Sequence, residues 1–199
     1  MQQIAEKPAV RGRIAPTRVV VAGFAAALVA CDSAVEPVAT ASLEPSPDLS
    51  CVAAGRLETV LFGAFTGALD WSAADLECTG MPRPNGEGGR LRFAGAVDES
   101  DRRIAIIIGI PGLRRGTADR ELNSNVTLLE EGSGMFFSTS SLGSCWTDVT
   151  AQDRLDGSTD KYVITGTVYC VSPLAEVNGD SSLSIPELGF TGLLDWSAK

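Results

Sequence analysis

The chain has 199 residues, of which 16 are basic, 25 acidic and none histidine, giving a net charge of −9. The acidic balance argues against nucleic acid as a partner, because phosphates are held by neutralising Lys and Arg. Without imidazole, Ser-His-Asp and Cys-His catalysis, histidine-ligated metal sites and the commonest general base are all excluded.

At the N-terminus, Arg11, Arg13 and Arg18 precede an uncharged apolar run at 19–30, VVVAGFAAALVA. A basic segment followed by 7–15 apolar residues has the layout of a secretory signal peptide. The run is too short for a bilayer-spanning helix, which needs about 20 apolar residues. It ends in Leu28-Val29-Ala30-Cys31, which resembles the lipobox of bacterial lipoprotein precursors. The resemblance implies cleavage before Cys31 and lipidation of that cysteine. Several acyl chains, each buried CH₂ worth about 0.8 kcal/mol, would then anchor the protein to a membrane. The expected location is the bacterial cell envelope, with the domain outside the cytoplasm. Asp32 favours inner-membrane retention in enteric bacteria, a rule that varies between groups, so inner and outer membrane both stay open.

Past residue 30 the chain keeps 12 basic and 24 acidic residues, a net charge of −12. Such a surface would not dock on anionic lipid by itself, so the acyl chains must hold it. Residues 32–50 are rich in Pro, Ser, Ala and acids without apolar periodicity, which reads as a flexible tether. The expected organisation is a signal peptide over 1–30, a lipidated cysteine and tether over 31–50, and one domain over 51–199.

The domain reads as mainly β, an antiparallel sandwich or roll of about seven to eight strands. Strands are expected at 57–72, 90–97, 103–110, 125–130, 135–139, 145–150, 162–170 and 188–196, separated by Gly, Pro, Asn and Asp clusters such as 81–89 and 156–160. Residues 115–123 carry enough helix formers for a turn or two of helix. The unbroken apolar run at 104–110 suggests a central strand covered on both faces.

Cys51, Cys78, Cys145 and Cys170 form an even set, which in an exported protein reads as two disulfides. They lack the close spacing of a zinc site. A hairpin centred on Asp156-Gly157-Ser158 puts Cys145 opposite Cys170 and Trp146 opposite Tyr169. Opposed Cβ atoms on paired strands lie close enough to bridge with little distortion. Elimination then pairs Cys51 with Cys78, tying the start of the domain to the end of its first long strand.

Residues 65–73 (FTGALDWSA) return at 190–198 as FTGLLDWSA. Alternation puts Phe65, Gly67, Leu69 and Trp71 on one face, and Phe190, Gly192, Leu194 and Trp196 likewise. Three readings follow: first and last strands in equivalent or adjacent positions, a tandem domain with a 125-residue period, or a paired Trp–Asp ligand site.

Glu176, Asn178, Asp180, Ser182, Ser184 and Glu187 have the spacing of an EF-hand-like calcium loop. Ser181 at the glycine position and Pro186 depart from that pattern. The competing reading is a hairpin turning at Asn178-Gly179, and it fits the β-rich surroundings. Glu130-Glu131 is the most compact carboxylate pair, but neighbours on one strand face opposite ways, which does not suit the two facing carboxylates of a glycosidase. No G-x-S-x-G elbow or P-loop occurs. The strand YVITGTVYC at 162–170 and the segment after it resemble small lipoprotein antigens of mycobacteria over about fifty residues, without a functional motif. The expected role is therefore a lipid-anchored, non-catalytic binding or structural domain with a protein or glycan partner. A calcium or carbohydrate module is the alternative, and a carboxylate hydrolase a third.

Overall fold

A computed structural model describes residues 51–97 and 102–199; the segments expected as signal peptide and tether, Cys31 included, lie outside the described residues. The described chain is all β. Twelve strands follow in order: β1 Arg56–Gly63, β2 Gly67–Ser72, β3 Leu76–Pro82, β4 Gly89–Ala96, β5 Arg103–Ile110 and β6 Asp119–Glu131, then β7 Phe136–Ser138, β8 Cys145–Arg154, β9 Lys161–Cys170, β10 Leu174–Glu176, β11 Ser182–Ser184 and β12 Glu187–Asp195. Every pairing is antiparallel.

Two sheets share two strands. The first sheet runs β2-β1-β12-β9-β8 and ends on the first half of β6. The second runs β3-β4-β5, the second half of β6, β7, β10, β11 and the last residues of β1. Because β6 and β1 pass from one sheet to the other, the ladder closes on itself through eight strands. Closure of this kind removes most edges of a β fold. Among the described strands two edges survive, β2 and β3.

Strand alternation builds the core. Leu57, Phe93, Ile106, Leu128, Phe137 and Leu188 are all fully buried. Each contributes about 1.5–3 kcal/mol relative to exposure. The second sheet lies across β12: a Cβ on Gly80 would stand 2.4 Å from the Leu193 carbonyl, and one on Gly192 would stand 2.7 Å from the Phe93 ring. Glycine at these two positions lets the sheets touch, and Phe93 meets Phe190 with centroids 5.7 Å apart.

The strand count exceeds expectation for identifiable reasons. Residues 57–72 are not one strand but the β1–β2 hairpin, which turns after Gly63 at φ 103°. The segment 76–82 reads locally as turn chemistry, yet pairs along its whole length with β4 as β3. The short β10 and β11 form the hairpin at Asn178-Gly179, with Leu174 opposite Leu183 and Asn178 at φ 66°. The helical turn expected over 115–123 does not form. Its second half starts β6 and pairs with β8, and a bulge there puts Glu121 at φ 54°. Helix propensity is a weak preference that a long ladder overrides.

The disulfides join Cys51 to Cys78 and Cys145 to Cys170. The β8–β9 register places Cys145 opposite Cys170 and Trp146 opposite Tyr169, as the hairpin argument requires; a bulge between Val149 and Ala151 shifts the ladder by one farther on. Cys78 sits within β3, so the first bridge ties the start of the domain to its third strand and not its first.

Candidate functional site

The six residues with calcium-loop spacing are divided among separate elements. Glu176 ends β10, Asn178 and Asp180 form the turn, Ser182 and Ser184 lie on β11, and Glu187 opens β12. The Glu176 carboxylate accepts hydrogen bonds from the N–H and hydroxyl of Ser181, which closes the hairpin upon itself. Among the described residues no three Cys, Asp or Glu side chains are grouped to hold a metal.

The echoed segments also resolve. Both β2 and β12 flank β1, so the two copies belong to one sheet, separated by a strand. Trp71 and Phe190 both stand opposite Leu57, so the copies are out of step with their sequence match. This corrects both the equivalent-strand reading and the tandem-domain reading. Asp70 is exposed whereas Trp71 is buried and donates its indole N–H to the Ala96 carbonyl at 2.7 Å, so the two cannot grip one ligand. Trp196 donates to Gln152 Oε1 at 3.0 Å. The same oxygen accepts the Gly116 N–H, and the Gln152 amide donates to the carbonyls of Arg114 and Thr117. Both tryptophans of the echo are thus structural.

Glu130 and Glu131 separate as alternation requires. Glu130 is buried, accepts the Ser133 hydroxyl and lies 3.9 Å from Arg102. Glu131 faces outward and bridges Arg92 and Arg103. They cannot act together on one bond.

What remains is the outer face of the first sheet. Cys145 and Cys170 point inward, so their neighbours Trp146 and Tyr169 must point outward. Their rings lie 6.3 Å apart with planes at 31°, half-buried on the surface. Glu187 on β12 stands opposite Tyr169, and Asn123 on β6 stands opposite Trp146. At about 4.8 Å per strand, this row of four side chains extends roughly 14 Å across the sheet.

Beside it runs a small-residue band, Gly189 opposite Thr167 and Thr191 opposite Thr165, whose hydroxyls meet at 3.1 Å. Beyond Glu187 the face dips into a shallow depression of about 420 Å³ lined by Glu58, Val60, Asp70 and Glu187 among others. Arg56 reaches Glu58 at 2.7 Å and Asp70 at 3.3 Å. The Glu58 and Asp70 side chains are 57% and 73% exposed, so water solvates both. Val60 is 45% exposed and gives the depression an apolar side.

The arrangement has the chemistry of a binding surface. Two aromatic faces offer apolar surface with polar tips. Carboxylates, an amide and threonine hydroxyls around them accept and donate hydrogen bonds. Trp146 and Tyr169 were legible as a pair from the hairpin register; the grouping of Glu58, Asp70 and Glu187 was not, because it depends on β1 lying between β2 and β12.

No known family model matches the chain, and no curated protein or solved structure is significantly similar to it.

Proposed function

We propose that this protein is a lipid-anchored envelope protein whose β domain is a non-catalytic binding module for a glycan. The observation that carries the binding half is the tilted Trp146–Tyr169 pair, half-buried on the outer face of the first sheet beside Asn123, Glu187 and a threonine band. Sugar rings present C–H faces that stack on aromatics and hydroxyls that bond carboxylates and amides, so one row of side chains serves both needs. The histidine-free composition and the opposed orientations of Glu130 and Glu131 favour binding over hydrolysis.

The anchoring half is supported by the Leu28-Val29-Ala30-Cys31 motif at the exit of a basic-then-apolar leader. Two disulfides fit the same reading, since such bonds persist in oxidising compartments outside the cytoplasm. Cys31→Ala is expected to lose incorporation of labelled fatty acid and to leave uncleaved precursor or soluble product; undiminished labelling in that variant would sink the anchor.

For the binding half, the full-length chain is titrated with a panel of neutral, amino and acidic polysaccharides while tryptophan fluorescence is recorded. One class should shift the emission, and Trp146→Ala should remove the response while the domain stays folded. A response that survives in Trp146→Ala, or no response to any class, overturns the glycan assignment.

A further inference from the structure

Two asparagines of the chain stand directly before glycine, Asn85-Gly86 and Asn178-Gly179, and all four residues are exposed. Asparagine is among the thermolabile residues. Its side-chain carbonyl carbon can be attacked by the backbone nitrogen of the next residue, and glycine leaves that nitrogen unobstructed because it carries no side chain. Ring closure then depends on whether the fold ties down the asparagine side chain and the glycine N–H. The two turns differ on both counts.

In the β3–β4 loop both groups are held. Asn85 Oδ1 accepts the Glu87 N–H at 3.2 Å, and the Gly86 N–H donates to the Arg83 carbonyl at 2.7 Å. The Arg83 N–H closes the loop on the Gly88 carbonyl at 3.0 Å. In the β10–β11 turn neither is held: among the described residues, no hydrogen bond engages the Asn178 side chain or the Gly179 N–H. The bonds that close this turn lie below its tip. The Glu176 N–H donates to the Ser181 carbonyl at 3.0 Å, and the Glu176 carboxylate accepts the Ser181 N–H at 3.3 Å, packed where a Cβ on Gly179 would stand. Asn178 itself lies at φ 66°, left-handed backbone that is unfavourable for a residue with a Cβ, so its intrinsic preference is to rotate away.

We propose that Asn178 is a site of spontaneous deamidation in the folded protein, and that the fold protects Asn85 from the same reaction. The Gly179 nitrogen attacks Asn178 Cγ, forming a C–N bond as the Cγ–Nδ2 bond breaks. The side-chain amide leaves as ammonia and carries away the proton lost by the Gly179 nitrogen. Water then opens the succinimide at one carbonyl or the other, leaving aspartate or isoaspartate at position 178. The net change is amide plus water to carboxylic acid plus ammonia, with no oxidant, reductant or cofactor. It sets a third carboxylate between Glu176 and Asp180, and the isoaspartyl form adds a backbone carbon at the tip of the hairpin. That hairpin joins β7 on one side to β1 on the other, where the second sheet closes. The inference is independent of the glycan reading and of the lipid anchor.

The test ages the full-length chain in warm, mildly alkaline buffer, folded and in denaturant, and follows both asparagines by mass-spectrometric peptide mapping that separates aspartyl from isoaspartyl peptides. In the folded protein Asn178 should convert at least about tenfold faster than Asn85, the order expected when two hydrogen bonds must break before ring closure. Denaturant should bring the two rates together, because both dipeptides are then unrestrained. The aged acidic form should co-elute on anion exchange with Asn178→Asp, in which the charge of the product is built in. Conversion of Asn85 as fast as Asn178 in the folded protein overturns the proposal. So does an Asn178 that stays intact when folded and converts only in denaturant. A contrast that persists undiminished in denaturant also overturns it, because flanking sequence and not the fold would then set the rates.

Discussion

The outer faces of the two sheets are built from different residue types and end in opposite states. On the second sheet, Glu77, Arg92, Arg103 and Glu131 form a closed ring of opposite charges across β3, β4, β5 and β6. Arg103 meets Glu77 at 2.8 Å and Glu131 at 3.3 Å, while Arg92 meets Glu131 and lies 3.8 Å from Glu77. The ring lies over Ala94 and Ala105, paired side by side, which is why two outward-facing alanines are fully buried. The central strand expected at 104–110 is thus covered outside by its neighbours' long side chains, without another layer of structure. On the first sheet, aromatics, threonines and carboxylates share a face with few bonds between strands. A surface whose charges satisfy one another has little left for a ligand; one that leaves acceptors and rings open has much.

The sharpest break in this contrast is the Cys145–Cys170 bridge, which underlies the aromatic row. The linked cysteines are separated by 25 in sequence, for which chain entropy gives about 3.5 kcal/mol. Replacing both with alanine should lower the melting temperature by roughly 7–14 °C for a domain of this size. Amide exchange should quicken first around Trp146 and Tyr169 and later in β4 and β5. Equal acceleration in both sheets would show that the bridge does not act locally.

A smaller effect is expected from Glu131→Gln, which removes the shared partner of Arg92 and Arg103. These side chains are about one-third exposed, so solvent screening limits the loss to about 1 kcal/mol. The difference between the variant and the original chain should shrink as salt rises to about 1 M, where the screening length falls to about 3 Å. A loss independent of salt would mean that Glu131 acts through packing over Ala105, and the charge ring would be incidental.

How far the sequence foretold these faces depends on how local the causes are. Ile104, Ile106, Ile108 and Ile110 announce β5 by themselves, and the β8–β9 register follows from one turn and two cysteines. β3 was hidden because Thr79-Gly80-Met81-Pro82 carries turn residues, and its strand character comes from β4 beside it. β6 was half hidden because Asp119–Ser124 has no strand signal until β8 pairs with it. The candidate site divides in the same way: alternation from Cys145 and Cys170 puts Trp146 and Tyr169 outside, but Glu58 and Asp70 join Glu187 only through non-local pairing.

The smallest expected effect concerns Asp195, at the far end of the first sheet and opposite Lys161. Its carboxyl accepts the Ser197 hydroxyl at 2.6 Å and the Ser197 N–H at 2.9 Å. These bonds, the hydroxyl first, hold it below the ordinary value of 3.8, and Lys161 lowers it further. A depressed carboxyl pKa adds stability that is complete above the unfolded-state value and is lost as pH falls through the folded-state value. The relevant window is therefore below about pH 3.8, and neutral conditions should show no change. Ser197→Ala removes the largest cause while leaving the backbone bond, so the Asp195 pKa should rise toward its ordinary value without reaching it. Carboxyl-detected NMR titration measures the shift directly. A pKa unmoved in Ser197→Ala would assign the depression to the remaining Ser197 N–H bond and Lys161, and Lys161→Met would then separate the two.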